Sequence, residues 1–128
     1  MLKRISCIAL LAMLLQVLFP FAALAATGNA TGTITSPVNA AYLNSNSVAI
    51  QGTTSDDEGV LSVGVALKDS DNNYLQGDGS LSAGEYWFTA TDTGSGYSTF
   101  EASISNIPDG TYRIQLKIND GSDNVLQD

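Results

Sequence analysis

The stretch from Ile107 to Asn124 constrains the fold most, because it holds one strictly alternating segment between two turns. Apolar residues alternate there with polar ones, Ile114, Leu116 and Ile118 against Arg113, Gln115 and Lys117. A period of two residues is that of a β-strand with one face against a core and the other in solvent. Asp109-Gly110 forms the turn before it, where Gly110 is expected to adopt the positive φ that glycine permits.

Residues 1–25 have the pattern of a signal peptide. Lys3 and Arg4 give a positive start, residues 8–24 are almost wholly apolar, and Ala23-Leu24-Ala25 is a site of the kind that signal peptidase accepts. The alternative, a retained membrane anchor, is disfavoured because the apolar run is short and contains Pro20. We therefore expect cleavage before Ala26, a secreted or cell-surface location, and no membrane attachment afterwards.

Cleavage would leave about one domain with a strongly acidic composition. The mature chain would keep three of the five basic residues and all thirteen acidic ones, a net charge of −10. Nucleic acid and anionic membranes are not expected as partners, because phosphate contacts need clustered Lys and Arg. The only cysteine, Cys7, leaves with the signal peptide, and the sequence has no histidine. The mature chain therefore lacks the usual zinc ligands and the usual bases for nucleophilic catalysis.

An enzyme is not expected for a further reason. Glycoside hydrolysis needs two carboxyl groups facing each other across a cleft, one of them with a raised pKa. Most carboxylates of this sequence fall in turns, where they are expected to face solvent rather than each other across a cleft.

The remainder of the chain is predicted to be all-β. Residues 26–32 are Ala, Thr, Gly and Asn, which bury too little apolar area to become ordered, so they are interpreted as a flexible lead-in to a domain over 33–128. No segment of the domain keeps a helical period over three turns. About seven short strands are predicted, over 33–36, 47–52, 61–68, 74–75, 85–91, 97–107 and 112–119. Their spacing is typical of an antiparallel β-sandwich, and Leu61, Val63, Val65 and Leu67 of the third strand are expected in its core.

Several short motifs follow one another in a characteristic order: Ile34-Thr35-Ser36-Pro37, Val48-Ala49-Ile50-Gln51-Gly52, Asp56-Asp57-Glu58-Gly59-Val60, Val63-Gly64-Val65, Tyr74-Leu75, Trp87 and Asp109-Gly110-Thr111-Tyr112. Over about residues 33–124 this order resembles the bacterial immunoglobulin-like repeats of surface and secreted proteins. The resemblance implies an immunoglobulin-like sandwich that serves as a spacer, stalk or adhesion module beside other domains. Ile114 then stands where a disulfide-bearing immunoglobulin domain has its second cysteine.

Tyr112 stands two residues before Ile114, which is where a tyrosine corner places its ring. In that arrangement the hydroxyl group bonds back to the backbone near the Asp109-Gly110 turn. The alternative is an ordinary half-buried strand tyrosine. We favour the corner and expect Asp109, Gly110, Tyr112 and Ile114 to form the structural anchor of the domain.

The final strand is predicted to be truncated or missing, because only residues 125–128 follow the turn after Asn119. An unpaired strand over Tyr112–Asn119 would be a template for association. Three explanations are open: the sequence is part of a longer protein, the last four residues form a short strand, or a strand from another chain completes the sheet. Other domains or chains are therefore the expected partners at this edge, and a cell-surface protein or polysaccharide is the further candidate.

Acidic turns offer the one candidate metal site. In an immunoglobulin topology the loop containing Asp56, Asp57 and Glu58 lies at the same end as the turn containing Asp120 and Asp123. Such oxygen-rich groups suit calcium, but Asp is also an ordinary turn residue. Calcium is the one cofactor considered, and the alternative function is a small carbohydrate- or calcium-dependent binding module.

Tyr86-Trp87-Phe88 raises the possibility of sugar binding through exposed aromatic planes. The strand period places Trp87 on the face opposite Tyr86 and Phe88, so the three do not share one layer. Packing of Trp87 against the protein itself is the favoured interpretation. Trp87 and Tyr86 remain the candidate ligand-binding residues.

Overall fold

Ten strands and no helix occur in the residues that the computed structural model describes, 29–121 and 124–128. The strands are β1 Thr31–Ser36, β2 Val48–Ser55, β3 Ser62–Lys68, β4 Tyr74–Leu75, β5 Leu81–Ser82, β6 Phe88–Thr89, β7 Thr91–Asp92, β8 Thr99–Ile104, β9 Arg113–Asn119 and β10 Asn124–Gln127. They form two antiparallel sheets packed as a sandwich, which confirms the predicted all-β immunoglobulin-like fold. The predicted signal peptide lies outside the described residues.

The first sheet has the strand order β1-β2-β8-β7, and the second has the order β10-β9-β3-β4-β5, with β6 also paired to β3. Inward-facing residues of both sheets meet in one core, because successive side chains of a strand point to opposite faces. The largest fully buried side chains are Phe100, Ile50, Leu75, Ile104, Ile118, Val63 and Val65. Full burial of such a side chain contributes about 1.5–3 kcal/mol relative to exposure. None of the described residues forms a helix long and apolar enough to cross a membrane.

The first strand begins earlier than predicted. Thr31 and Gly32, assigned to the flexible lead-in, belong to β1, and Ala30 before them is buried. Gly32 lies close to the opposite sheet, since a Cβ there would be 2.8 Å from Cδ1 of Ile118 and 2.9 Å from Cδ1 of Leu116, and these side-chain ends would have to shift. Composition alone missed this start because the segment is ordered by the opposite sheet rather than by its own apolar residues.

Two further predictions about the strands are wrong. Leu61 is exposed, and Val60 beside it is buried instead, because regular alternation in β3 begins only at Ser62. The single strand predicted over 85–91 is two strands that belong to different sheets, β6 and β7. Ala90 lies buried between them, and its N–H donates to the carbonyl oxygen of Val63 at 2.9 Å. The chain thus crosses from one sheet to the other at Ala90.

The edge predicted to be open at Tyr112–Asn119 is largely covered. β10 pairs with β9 from Asn124 opposite Asn119 to Gln127 opposite Leu116. The last strand is therefore present with four residues, and the outer edge of this part of the sheet is β10 rather than β9. A short final strand was one of the three explanations left open, and it is present. The sequence pattern could not select it because four residues are too few to show a period.

The side chain of Gln127 joins the two sheets. Its Oε1 accepts a hydrogen bond from the Gly32 N–H at 2.9 Å, and its Nε2 donates to the Gly32 carbonyl oxygen at 2.6 Å. The amide thus pairs with both backbone groups of one β1 residue, as a neighbouring strand would.

Candidate functional site

The connection between β8 and β9 carries the residues predicted to form a tyrosine corner. The Tyr112 hydroxyl donates a hydrogen bond to the backbone carbonyl oxygen of Pro108 at 2.9 Å. The Tyr112 ring is partly buried and packs against the core, as does Ile114 two residues later. The bond therefore ties the β8–β9 connection to the start of β9.

Gly110 contributes in a different way from the one predicted. It does not adopt a positive φ; the left-handed residue of this connection is Asn106, with a φ of 58°. Asparagine also tolerates this left-handed conformation, and the exposed Asp109-Gly110 bend does not need it. Gly110 instead lies beside the Tyr112 ring, where a Cβ would be 3.4 Å from Cε2.

The pKa of the Tyr112 hydroxyl is raised above its ordinary value. Burial raises its pKa, and the nearby carboxylates of Asp69 and Asp109 raise it further. The pKa of Asp69 is lowered in turn, chiefly by the backbone N–H of Asn73, against a smaller opposing effect of burial, with additional hydrogen bonds from the Asn73 side chain and the Asp71 N–H. A neutral donor thus lies near an ionised carboxylate at neutral pH.

The predicted calcium residues are brought together only in part. The β2–β3 loop and the end of β9 meet, because the Leu61 N–H donates to the Asn119 carbonyl oxygen at 2.7 Å. Asp56 Oδ2 accepts the Glu58 N–H at 3.0 Å, while its buried Oδ1 has no hydrogen-bond partner. Among residues 29–121 and 124–128, no three acidic side chains converge as a metal site would require, and this includes Asp56, Asp57 and Asp120. Asp123 lies outside the described residues.

The structure places Tyr86 and Trp87 on different faces rather than in one platform. Tyr86 packs edge-on against Phe88, with ring centroids 4.9 Å apart. Trp87 instead packs edge-on against Tyr74, with centroids 6.2 Å apart, and covers Gly64 on the outer face of the second sheet. Part of the Trp87 surface is therefore occupied by the protein itself.

A comparison of the sequence with protein families agrees with the immunoglobulin-like fold. The sequence model of a family described as "Bacterial Ig domain" matches residues 31–116, more than half of the chain. The chain belongs to this family. No curated protein and no solved structure gave a match. The matched residues of this bacterial Ig domain end within β9, so β10 and Gln127 lie beyond them.

Sequence reasoning missed the aromatic contacts that two lysines make on the outer face of the second sheet. Lys117 Nζ lies 5.1 Å from the Trp87 ring centroid, and Lys68 Nζ lies 4.7 Å from that of Tyr74. These are distances at which a cation is attracted to an aromatic face. The signal available in the sequence was the alternation of β3 and β9, which places both lysines outward, but only the register shows which ring each one meets.

Replacing Tyr112 with phenylalanine is expected to lower the free energy of unfolding by about 1 kcal/mol, the usual net value of one hydrogen bond. The ring stays and only the bond to Pro108 is lost. Tyr42→Phe is the matched control, because Tyr42 is fully exposed and should tolerate the change. Urea unfolding of both variants measures the difference, and equal stability of the two would contradict a role for the Tyr112 hydroxyl.

Proposed function

We propose that this bacterial Ig domain is a non-catalytic module of an exported protein, where it serves as a spacer or interaction domain at the cell surface or in the medium. The family match over residues 31–116 is the observation that carries the proposal, because such domains are modules of surface proteins. The signal-peptide pattern of residues 1–25 supports export.

The path of the chain also supports a spacer. Thr31 pairs with Ser55 at the end of β2, and Asn124 pairs with Asn119, which itself pairs with Ser62. β1 and β10 therefore start at the same end of the sandwich and run toward the other end. A chain that enters at one end and leaves toward the other suits a module placed in line with its neighbours.

Expression of the full chain in a bacterium tests export. We expect the product outside the cytoplasm to begin at Ala26 by N-terminal sequencing. Replacing Leu14 and Leu15 with arginine should retain the chain in the cytoplasm, because it interrupts the apolar run that the signal requires. Leu126→Arg, at an exposed position of β10, is the control and should be exported. A cytoplasmic product with an intact N-terminus would contradict the proposal.

The alternative function, a carbohydrate- or calcium-dependent binding module, remains a prediction. Two measurements test it directly. Saturable change in Trp87 fluorescence during titration with polysaccharides would favour recognition over spacing. A higher melting temperature in excess calcium than in chelator would favour a site that includes Asp56 and Asp120, and an unchanged temperature would contradict it.

A further inference from the structure

Two cations of the second sheet lie directly opposite each other. The register of β3 and β9 pairs Lys68 with Arg113. Like charges opposite each other in an antiparallel pair are destabilising. The described residues include twelve carboxylates and only three cations, so a carboxylate would be the expected neighbour of either one.

The only ion pair between this cation pair and a carboxylate of the described residues is a weak one, from Arg113 to Asp128. Lys68 forms no salt bridge there, and its Nζ lies over the Tyr74 ring. Arg113 Nη2 donates to the neutral Asn72 Oδ1 at 2.9 Å. The Arg113 Nη1 atom lies 3.9 Å from Asp128 Oδ2, and both side chains are about half exposed, so solvent weakens this ion pair. The positive charge of the pair is thus poorly compensated.

An open pocket of about 350 Å³ lies at this cation pair. Its other walls are Ser70 and Asn72 from the β3–β4 turn, Thr111 and Tyr112 before β9, and Asp69. Ser70 and Thr111 each place a hydroxyl group in the pocket wall, and a hydroxyl group can donate a hydrogen bond to a ligand. The Tyr112 hydroxyl already donates its hydrogen bond to the Pro108 carbonyl oxygen.

Asp69 is the one carboxylate in the pocket wall, and its oxygens are held by the turn. Oδ1 accepts the Asp71 N–H at 2.9 Å and the Asn73 N–H at 2.8 Å. Oδ2 accepts the Asn73 side-chain amide at 3.2 Å. These bonds hold the Asp69 carboxylate within its own turn, and none of them is to Lys68 or Arg113.

We propose that this pocket binds a small oxyanion, the carboxylate or phosphate group of a small molecule, between Lys68 and Arg113. Cross-strand neighbours have Cβ atoms about 4.5–5.5 Å apart, which lets one oxyanion contact both side chains. A guanidinium group matches the oxygens of a carboxylate or phosphate in a two-point contact, and Lys68 adds a point charge. Ser70 and Thr111 donate the remaining hydrogen bonds.

Titration of the processed chain, followed by amide NMR shifts, tests the proposal. The probes are sodium glucuronate, glucose 6-phosphate and uncharged glucose, which share a ring and differ in the oxyanion. We expect saturable shifts confined to residues 68–73 and 111–114, in the millimolar range, for at least one anion and not for glucose. The stronger anion identifies the group as carboxylate or phosphate. Absence of saturation with both anions, or equal shifts with glucose, would overturn the proposal.

Charge variants distinguish anion binding in this pocket from non-specific electrostatic attraction to the protein surface. Lys68→Gln and Arg113→Gln should each weaken binding roughly tenfold or more, the loss expected for one charge-assisted hydrogen bond. Lys117→Gln removes the same charge from the same sheet face, beside Trp87, and should change affinity by less than about twofold because solvent and salt screen its distant charge. Equal weakening by Lys117→Gln would show non-specific attraction and overturn the proposal.

A further variant tests the role of Arg113 if the Arg113→Gln protein does not fold. If Arg113→Gln fails to fold, Arg113→Lys keeps the charge and removes the two-point contact. It should then weaken binding by severalfold. Unchanged affinity in both Arg113→Lys and Lys68→Gln would overturn the assignment of the pocket.

Discussion

Replacing Gly52 with alanine is expected to destabilise the domain by about 3 kcal/mol, near the upper end for overpacking a core. Gly52 lies in the middle of β2, paired with Ile34 of β1 and Phe100 of β8. A Cβ there would overlap the carbonyl oxygen of Thr33 and lie 2.5 Å from Cζ of Phe100. The oxygen is held in a strand paired to β2, and the Phe100 ring is 1% exposed, so neither has room to move.

Gly64→Ala is the matched control for that prediction. Gly64 is also a strand glycine, but a Cβ there would meet Trp87 Cβ at 3.4 Å and Cε3 at 3.6 Å, which are ordinary contacts. Its stability should change by less than about 1 kcal/mol, since alanine also restricts the unfolded chain. Urea unfolding followed by Trp87 fluorescence or by circular dichroism measures both variants. Similar losses for the two glycines would show that close packing at Gly52 is not the cause.

Replacing Gln127 with leucine is expected to cost about 2–3 kcal/mol. Leucine keeps a side chain of similar size at the position but leaves the Gly32 N–H and carbonyl oxygen without their partner. Gly32 is buried, so water does not readily replace the lost bonds. Chemical denaturation gives the change in unfolding free energy, with Leu126→Gln at the exposed neighbouring position as the control. A loss no greater than that of the control would mean that Gln127 does not hold the sheets together.

Replacing Gln127 with glutamate is expected to make the stability contributed by its contact with Gly32 depend on pH. The introduced carboxylate accepts from the Gly32 N–H but, when ionised, has no proton to donate to the Gly32 carbonyl oxygen. Its protonated form makes both bonds, so its folded pKa is raised above the ordinary value of about 4.3. The stabilisation is thus present below the unfolded pKa and lost as pH rises through the folded pKa. The deficit of this variant relative to the parent should shrink on acidification, and a constant deficit would contradict the two-bond geometry.

Local pattern was sufficient for the strands with regular alternation. Ile114, Leu116 and Ile118 were predicted to face inward; Leu116 and Ile118 are buried, and Ile114 packs partly buried against the same core. Alternation carries this information because side chains of a strand point to opposite faces whatever its neighbours are. The same pattern misplaced Leu61, which precedes the point where the regular strand begins.

The candidate sites were less accessible to sequence reasoning. Tyr112 was identified from its spacing, but the role given to Gly110 was wrong because the left-handed turn residue is Asn106. The pairing of Lys68 with Arg113 depends on the register between two strands separated by more than forty residues along the chain. Spacing within either strand does not contain that information.

The sequence alone was enough for the class of fold, since turn residues at regular intervals and two-residue alternation are local properties of the chain. Tertiary structure decided how the edges are closed. The four residues of β10 show no period, and neither Gly32 nor Gln127 has a distinctive local pattern. Their contact exists only because two sheets meet across 95 positions of sequence, where one side-chain amide satisfies the backbone groups of a buried glycine. An unmet backbone group is costly only when it is buried, and burial is set by the assembled sandwich.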